Sequence, residues 1–294
     1  MIPAPFDYAR AASLDEALEL VAGADPSIRV LAGGQSLIPL MKLRLARPER
    51  LVDLGRLPEL RGVRVRPDGG ITVGALTTWA DLLADPQIRA YGVLADAIPD
   101  IGDTQVRNLG TIGGSLAHAD PASDIAAPAL VLEVELVARS AARGERVIRA
   151  TEFFLGPFAT ALEPDEILTE VRLPGPLDNT GSAYRALPQQ ASGYPIAGVA
   201  VVLTRAMAAG EERGSATTSF SRCAIAVTGV GDHPYRANEV ERAVLDGTPW
   251  SEAIAVITAG QRIAADMHAD RDYRAAMAVV MARRAFEAAL ARIG

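Results

Sequence analysis

The rhythm of apolar and polar positions changes along this chain. From 37 to 45, Leu37, Leu40, Met41 and Leu45 fall on one helical face, behind a buried strand read at 28–31. Ser13 and Glu16 form a capping box that opens a helix over 14–21, and Gly23 ends it. An extended stretch at 6–12 and a strand at 51–54 complete an alternation of strand and helix, which predicts a small α/β subdomain over about 1–60. Alternation at 63–66 and 71–73 around Pro67-Asp68-Gly69-Gly70 then predicts a β-hairpin. Short helices follow at 78–85 and 91–101, the second broken around Pro99. Beyond them lie a buried helix at 126–132, a hairpin of 133–139 with 145–149, a short helix at 151–154 and a strand at 167–173. The turn formers of 174–181 read as a linker between a domain of 1–176 and a second of 177–294.

In the second domain the apolar run Val199-Ala200-Val201-Val202-Leu203 is continuous enough for a strand buried on both faces. A second β-run covers 222–230, with a loop tip at 210–215 between the two. Helices are read at 238–245, 251–263 and 273–293; the last carries Ala276, Val279, Val280, Ala285 and Ala289 in an amphipathic pattern. The expected arrangement is a sheet with helices on one face.

Two stretches follow neither rhythm. In the first, Ala32-Gly33-Gly34-Gln35-Ser36 joins the strand at 28–31 to a helix opening at Leu37. Strand, glycine turn and helix N-terminus present free N–H groups to an anion, although Ser36 also suits a plain N-cap. In the second, 102–124 reads as one long irregular segment with Thr111-Ile112-Gly113-Gly114-Ser115 at its centre and Ser123-Asp124 at its end. Paired glycines permit positive φ and close approach of the backbone, and a loop of that length inside a domain is usually functional. Neither stretch has the spacing of a dinucleotide-type Rossmann fingerprint or a P-loop. Two phosphate cradles suggest one pyrophosphate gripped from both sides.

Composition narrows the choice. The 294 residues carry a net charge of −7 without a basic block, which argues against nucleic acid. No apolar run reaches the ~18 residues of a membrane span, and the N-terminus lacks a signal pattern, so a cytoplasmic protein is expected. The single cysteine, Cys223, lies in an apolar run and reads as core. The histidines His118, His233 and His268 show no ligand spacing, so no metal site is expected on this chain.

Ala32-Gly33-Gly34-Gln35-Ser36 and Thr111-Ile112-Gly113-Gly114-Ser115, with Gln105 to Gly110 before the latter and Pro121-Ala122-Ser123-Asp124 after it, resemble the FAD-binding medium subunit of the molybdenum hydroxylases, the aerobic carbon-monoxide dehydrogenase and xanthine dehydrogenase family. The runs 72–77, 165–168, 229–231 and 273–274 and the final helix with Arg283-Arg284-Ala285 fit it as well, so the resemblance covers nearly the whole chain. It implies an α+β fold: a vanillyl-alcohol-oxidase-type FAD-binding domain of two subdomains, about 1–60 and 61–176, then a smaller sheet-and-helix domain. It implies a heterotrimer, in a dimer of heterotrimers. A large subunit holds the molybdenum cofactor and a small subunit two [2Fe–2S] clusters, while this chain's FAD passes electrons to an external acceptor. The lone cysteine agrees, since each cluster needs four thiolates.

By the same resemblance, Ala32, Gly33, Gly34, Gln35, Ser36 and Leu37, with Thr111, Ile112, Gly113, Gly114 and Ser115, bind the FAD pyrophosphate region. Asp124 hydrogen-bonds the adenosine portion, and Ile101 and Leu168 pack against the cofactor. Tyr194 is assigned to the isoalloxazine, against an exposed loop tyrosine as the alternative. No catalytic acid or base is implied, because FAD does the redox chemistry and the chain supplies binding and orientation. One departure concerns the flavin's potential and the choice of acceptor. Tyr184 is kept, but Ala186, Gln190 and Gly193 stand where the family usually has Lys, Arg and Asp. The alternative readings are a stand-alone FAD-dependent oxidase of the vanillyl-alcohol-oxidase type and a non-redox nucleotide-binding module. The resemblance also implies that the substrate pocket of the whole enzyme lies on the large subunit rather than on this chain.

Overall fold

Three short strands, Asp7–Arg10, Arg50–Asp53 and Ile28–Leu31, lie side by side in a parallel sheet, in that spatial order. The computed structural model describes residues 2–206 and 219–293. The helix Leu14–Val21 starts where the capping box predicts, with Ser13 accepting from the Glu16 N–H. Its Leu14, Ala17, Leu18 and Val21 share a core with Val52, Leu54, Leu57 and Leu60. A five-stranded antiparallel sheet follows, in the order Val63–Val65, Ile71–Gly74, Ile167–Leu173, Glu135–Ser140, Gly144–Arg149.

These elements belong to one compact unit, made of Met1–Asp85, Gly102–Ala119 and Val134–Pro174. The other unit is made of Pro86–Ile101, Asp120–Glu133 and Gly175–Gly294. It is built on an antiparallel sheet ordered Thr180–Pro188, Pro195–Arg205, Phe220–Thr228, Tyr235–Arg236. The central strand is buried throughout 199–203, as the continuous apolar run predicts.

Several expectations need correction. The sheet has helices on both faces. Ala197, Val199, Val201 and Leu203 share a core with Val240, Val244, Ala278, Ala282 and Phe286 of the helices Asn238–Leu245 and Arg271–Leu290. The alternate residues Tyr184, Ala200, Val202, Ala224 and Ala226 are equally buried, and the helices Gly92–Asp100 and Ala126–Val131 pack on this sheet as well. The segment 102–124 is not one irregular loop. It holds the helices Thr104–Leu109 and Ile112–His118, each begun by a side-chain cap: Asp103 accepts from the Val106 N–H and Thr111 from the Gly114 N–H. Glycine-poor helical periodicity is not needed when a cap satisfies the first free donors. Residues 251–263 do not form one helix. Trp250–Ala253 gives way to a 3-10 turn at Ile254–Val256, and Gly260 takes φ +71°. Trp250 stacks on Phe286, their ring centroids 5.1 Å apart. A strand at Thr180–Pro188 occupies part of the region read as linker. The loop tip read at 210–215 lies outside the described residues.

Candidate functional site

The parallel sheet delivers the first glycine stretch. The strand Ile28–Leu31 ends, Gly34 turns with φ +70°, and the helix Leu37–Lys42 begins. Ser36 makes no side-chain cap. Gln35 folds back, its Nε2 donating to the Gly33 carbonyl at 3.2 Å. Among the described residues, the backbone N–H groups of Gly34, Gln35, Ser36 and Leu37 meet no acceptor. Consecutive unspent donors on a half-buried turn make an anion-binding concavity.

The second stretch is stitched to the chain just after the strand Ile71–Gly74. The Trp79 N–H donates to the Gly110 carbonyl at 3.1 Å, Ile112 N–H to Thr77 at 3.1 Å and Gly113 N–H to Ala75 at 2.9 Å. These bonds press Gly113 against Ala75, where an added Cβ would lie 2.5 Å from the Ala75 Cβ and 2.7 Å from its carbonyl oxygen. Gly113 and Gly114 therefore serve close approach inside the first turn of a helix. Neither takes the positive φ that a paired glycine allows, and only Gly34 of the two motifs does so.

The two stretches meet. A Cβ on Gly33 would lie 2.1 Å from the Leu109 carbonyl oxygen and 2.8 Å from Gly110 Cα, and one on Gly114 would lie 3.5 Å from the Ala32 Cβ. The backbones are in contact on one side of this junction, and on the other the Ala32 methyl faces the Cα of Gly114. Thr111 is buried and Ser115 half-buried on the helix Ile112–His118. Leu168 is buried in the strand Ile167–Leu173, beside a β-bulge that separates its register from that of Glu170. The start of this strand is held by ion pairs from Arg143 to Asp165 and from Arg146 to Glu166.

The remaining candidates lie in the other unit. Ile101 caps the C-terminus of the helix Gly92–Asp100 and is half-buried. Asp124 is buried, and the Tyr184 hydroxyl donates to its Oδ1 at 2.8 Å. Burial pushes the Asp124 carboxyl up to about 7; the Tyr184 hydrogen bond works against that rise, while Asp100 and Asp120 add to it. Burial and the same carboxylate raise the Tyr184 phenol. Tyr194 is 44% exposed at the end of a tight turn, where the Gln189 N–H donates to its carbonyl at 2.8 Å. Gly193 in that turn has φ +78°, in the left-handed region that glycine adopts freely. Cys223 is buried on the central sheet and its thiol is pushed up to about 12, which makes it inert.

Two residues that motif reading does not single out stand close to Asp124. Thr228 is fully buried with its Oγ1 on the turn that carries Asp124, and Gly198 makes room for the Tyr184 hydroxyl. Their signals in the sequence are faint: a glycine inside an otherwise unbroken apolar strand, and a threonine ending one.

Residues 4–176 match the FAD-binding domain in molybdopterin dehydrogenase, and 182–289 match the carbon-monoxide dehydrogenase flavoprotein C-terminal domain. The chain is 38% identical to the carbon monoxide dehydrogenase medium chain of Hydrogenophaga pseudoflava, over 99% of both chains. It is 35% identical to subunit alpha of the 6-hydroxypseudooxynicotine dehydrogenase complex of Paenarthrobacter nicotinovorans, over 99% of this chain and 97% of that one. The solved structure of the Hydrogenophaga pseudoflava carbon monoxide dehydrogenase, in a form lacking the Mo-pyranopterin moiety of its cofactor, superposes with a TM-score of 0.90 over 100% of both chains. With both family models in place and relatives aligned from end to end, this chain belongs to the FAD-binding medium subunits of the molybdenum hydroxylases, and is an oxidoreductase subunit.

Proposed function

We propose that this chain is the electron-transfer subunit of a heterotrimeric molybdenum hydroxylase. In this reading it takes electrons from [2Fe–2S] clusters on a small partner and passes them to an external acceptor, while a large partner holds the molybdenum cofactor. The observation that carries the reading is the meeting of the two glycine stretches at Gly33 and Gly110, beside four N–H donors that meet no acceptor among the described residues. That donor set fits a pyrophosphate: it is neutral, made of backbone, and close-packed enough to exclude side chains. The chain's single cysteine supports clusters on another subunit.

FAD supplies the redox chemistry when bound. The chain's residues bind and orient it. Residues 32–37 hold the pyrophosphate through N–H groups and the Ser36 hydroxyl. In 111–115 the N–H groups of Ile112, Gly113, Gly114 and Ser115 are already donated within the protein, so this stretch contributes the hydroxyls of Thr111 and Ser115 and its close backbone packing. Leu168 and Ile101 give apolar contact, Asp124 accepts from the adenosine portion, and Tyr194 lies against the isoalloxazine. The absence of a lysine at Ala186 leaves less positive charge to favour an anionic reduced flavin. We assign the FAD-binding domain to 1–176, of vanillyl-alcohol-oxidase type with subdomains over about 1–60 and 61–176, and the C-terminal domain to 177–294. The assembly is a dimer of heterotrimers in the cytoplasm.

The test is an absorption spectrum of the purified complex, followed by acid release and chromatography of its cofactor. About one FAD per copy of this chain is expected, with iron–sulfur absorbance that leaves with the small subunit. No flavin, or FMN in its place, would overturn the reading.

A further inference from the structure

Asp124 stands in a turn, and the turn's grip comes from the C-terminal sheet. Three neighbouring strands contribute. Tyr184 lies on Thr180–Pro188, Gly198 on Pro195–Arg205 and Thr228 at the end of Phe220–Thr228, with Gly198 paired directly to Thr228. The Tyr184 hydroxyl donates to Asp124 Oδ1 at 2.8 Å. It fits only because position 198 is glycine, where a Cβ would lie 2.3 Å from that hydroxyl oxygen and 2.8 Å from Thr228 Cγ2. The Thr228 hydroxyl is 2.8 Å from the Pro121 carbonyl and 2.9 Å from the Ser123 carbonyl, and the Gly229 N–H reaches Pro121 at 2.8 Å. Within the turn, Asp120 accepts from the Ala122 N–H at 2.9 Å and Ser123 N–H returns to the Asp120 carbonyl at 3.0 Å. Tyr184 and Thr228 are 1% and 0% exposed, so water does not compete for these bonds.

We infer that Tyr184 and Thr228 are positioning residues for FAD: Tyr184 holds the Asp124 carboxyl and Thr228 holds the turn that carries it. The inference rests on the reading of Asp124 as an adenosine contact. A carboxylate has two oxygens. The tyrosine engages Oδ1, which leaves Oδ2 as the acceptor for a ligand hydroxyl or amine. The threonine ties down the backbone on either side of Ala122, just before the residue that carries that carboxyl. Ordering the carboxyl in advance removes an entropic cost from binding.

The experiment measures FAD dissociation constants of the flavin-free full chain by flavin fluorescence, for wild type, Asp124→Asn, Tyr184→Phe, Tyr184→Phe/Asp124→Asn, Thr228→Val and Thr228→Ser. Asp124→Asn should weaken FAD about tenfold or more. Tyr184→Phe should weaken it about five- to tenfold, and the double variant should be no weaker than Asp124→Asn alone, because one contact is being lost twice. Thr228→Val should weaken binding by a similar factor and Thr228→Ser, which keeps the hydroxyl, should restore it. If Asp124→Asn binds like wild type, the adenosine reading of Asp124 fails. If Asp124→Asn weakens FAD but the Tyr184 effect adds in full to it, or Thr228→Ser fares no better than Thr228→Val, the positioning role is overturned. Should Tyr184→Phe fail to fold, the Thr228 pair decides the matter on its own.

Discussion

The Cα of Gly33 packs against the carbonyl of Leu109 so closely that an added methyl group would sit 2.1 Å from its oxygen. Neither partner is a side chain that can swing aside. Gly33→Ala must therefore part the two glycine stretches, at a cost of about 3 kcal/mol or more by the scale of overpacked sites. The expected outcome is a lower melting temperature and loss of FAD from the purified chain, read together by thermal denaturation and the flavin absorbance. Full flavin content in this variant would mean that the two stretches do not act together.

Gly113 and Gly114 should respond differently, although they are adjacent. A methyl at 113 meets Ala75 backbone and Cβ within 2.9 Å, so Gly113→Ala destabilises the chain itself, by about 2–3 kcal/mol. A methyl at 114 meets only the Thr111 hydroxyl at 2.8 Å and the Ala32 Cβ at 3.5 Å. Alanine's advantage over glycine in a helix, about 1 kcal/mol, roughly offsets a disturbed cap. Gly114→Ala should fold with near wild-type stability yet bind FAD at least tenfold more weakly, because its methyl stands where the two stretches face each other. Denaturation of the flavin-free chain, set beside FAD titration, separates the two effects; equal loss of stability at both positions would refute this division.

How much of this was legible in the sequence depends on whether the determinant is local. The capping box at Ser13, the hairpins and the glycine turn after 28–31 are set by residues close in sequence, and they are visible there. The helices Thr104–Leu109 and Ile112–His118 are also local, but their signal lies in Asp103 and Thr111 as caps, and the glycines between mask it. The second helical face of the C-terminal sheet is not local. It exists because Gly92–Asp100 and Ala126–Val131 pack on strands that begin more than 50 residues later, and nothing in their own patterns names that partner. The strand Thr180–Pro188 is hidden for a related reason: its small and polar residues do not alternate, and its pairing with Pro195–Arg205 makes it a strand. At the candidate site, the glycine stretches are readable as two separate cradles, but that Gly33 rests on Leu109 and that Tyr184 reaches Asp124 are tertiary facts.

Asp124 should leave a mark on the pH dependence of stability. Its carboxyl rises from an ordinary 3.8 to about 7 in the folded chain, mainly through burial. A raised carboxyl favours folding in its protonated form, so the contribution is complete below about 3.8 and is lost as pH rises through about 7. Each pH unit in that window corresponds to about 1.4 kcal/mol at most. Asp124→Asn removes this titration. In urea denaturation of the flavin-free chain, wild type should therefore lose a few kcal/mol relative to Asp124→Asn between pH 4 and pH 8, at about 1.4 kcal/mol per unit or less. Parallel curves would show that Asp124 ionises as freely in the folded chain as in the unfolded one.

Asp96 gives the opposite sign. Its carboxylate accepts from Arg292 Nη1 at 2.7 Å and Nη2 at 2.8 Å, from Arg185 Nη1 at 2.7 Å and from the Tyr184 N–H at 3.1 Å. Burial works to raise this carboxyl, but the Arg292, Tyr184 and Arg185 contacts outweigh it and hold it below its ordinary range. Arg292 also donates to the Ser182 carbonyl at 2.8 Å, so it ties the end of the helix Arg271–Leu290 to the strand Thr180–Pro188. Its side chain is 38% exposed, and solvent screening limits the pair to about 1 kcal/mol. Arg292→Ala should lose that amount at pH 7, and the loss should shrink as acid protonates Asp96, since a depressed carboxyl stabilises above about 3.8 and ceases to do so as pH falls through its folded value. Raising the salt concentration should narrow the gap between wild type and variant at pH 7 but not close it, because the backbone contact to Ser182 is not screened in the same way. A deficit that is constant from pH 7 to pH 3 would assign the whole effect of Arg292 to packing and leave no role for its charge.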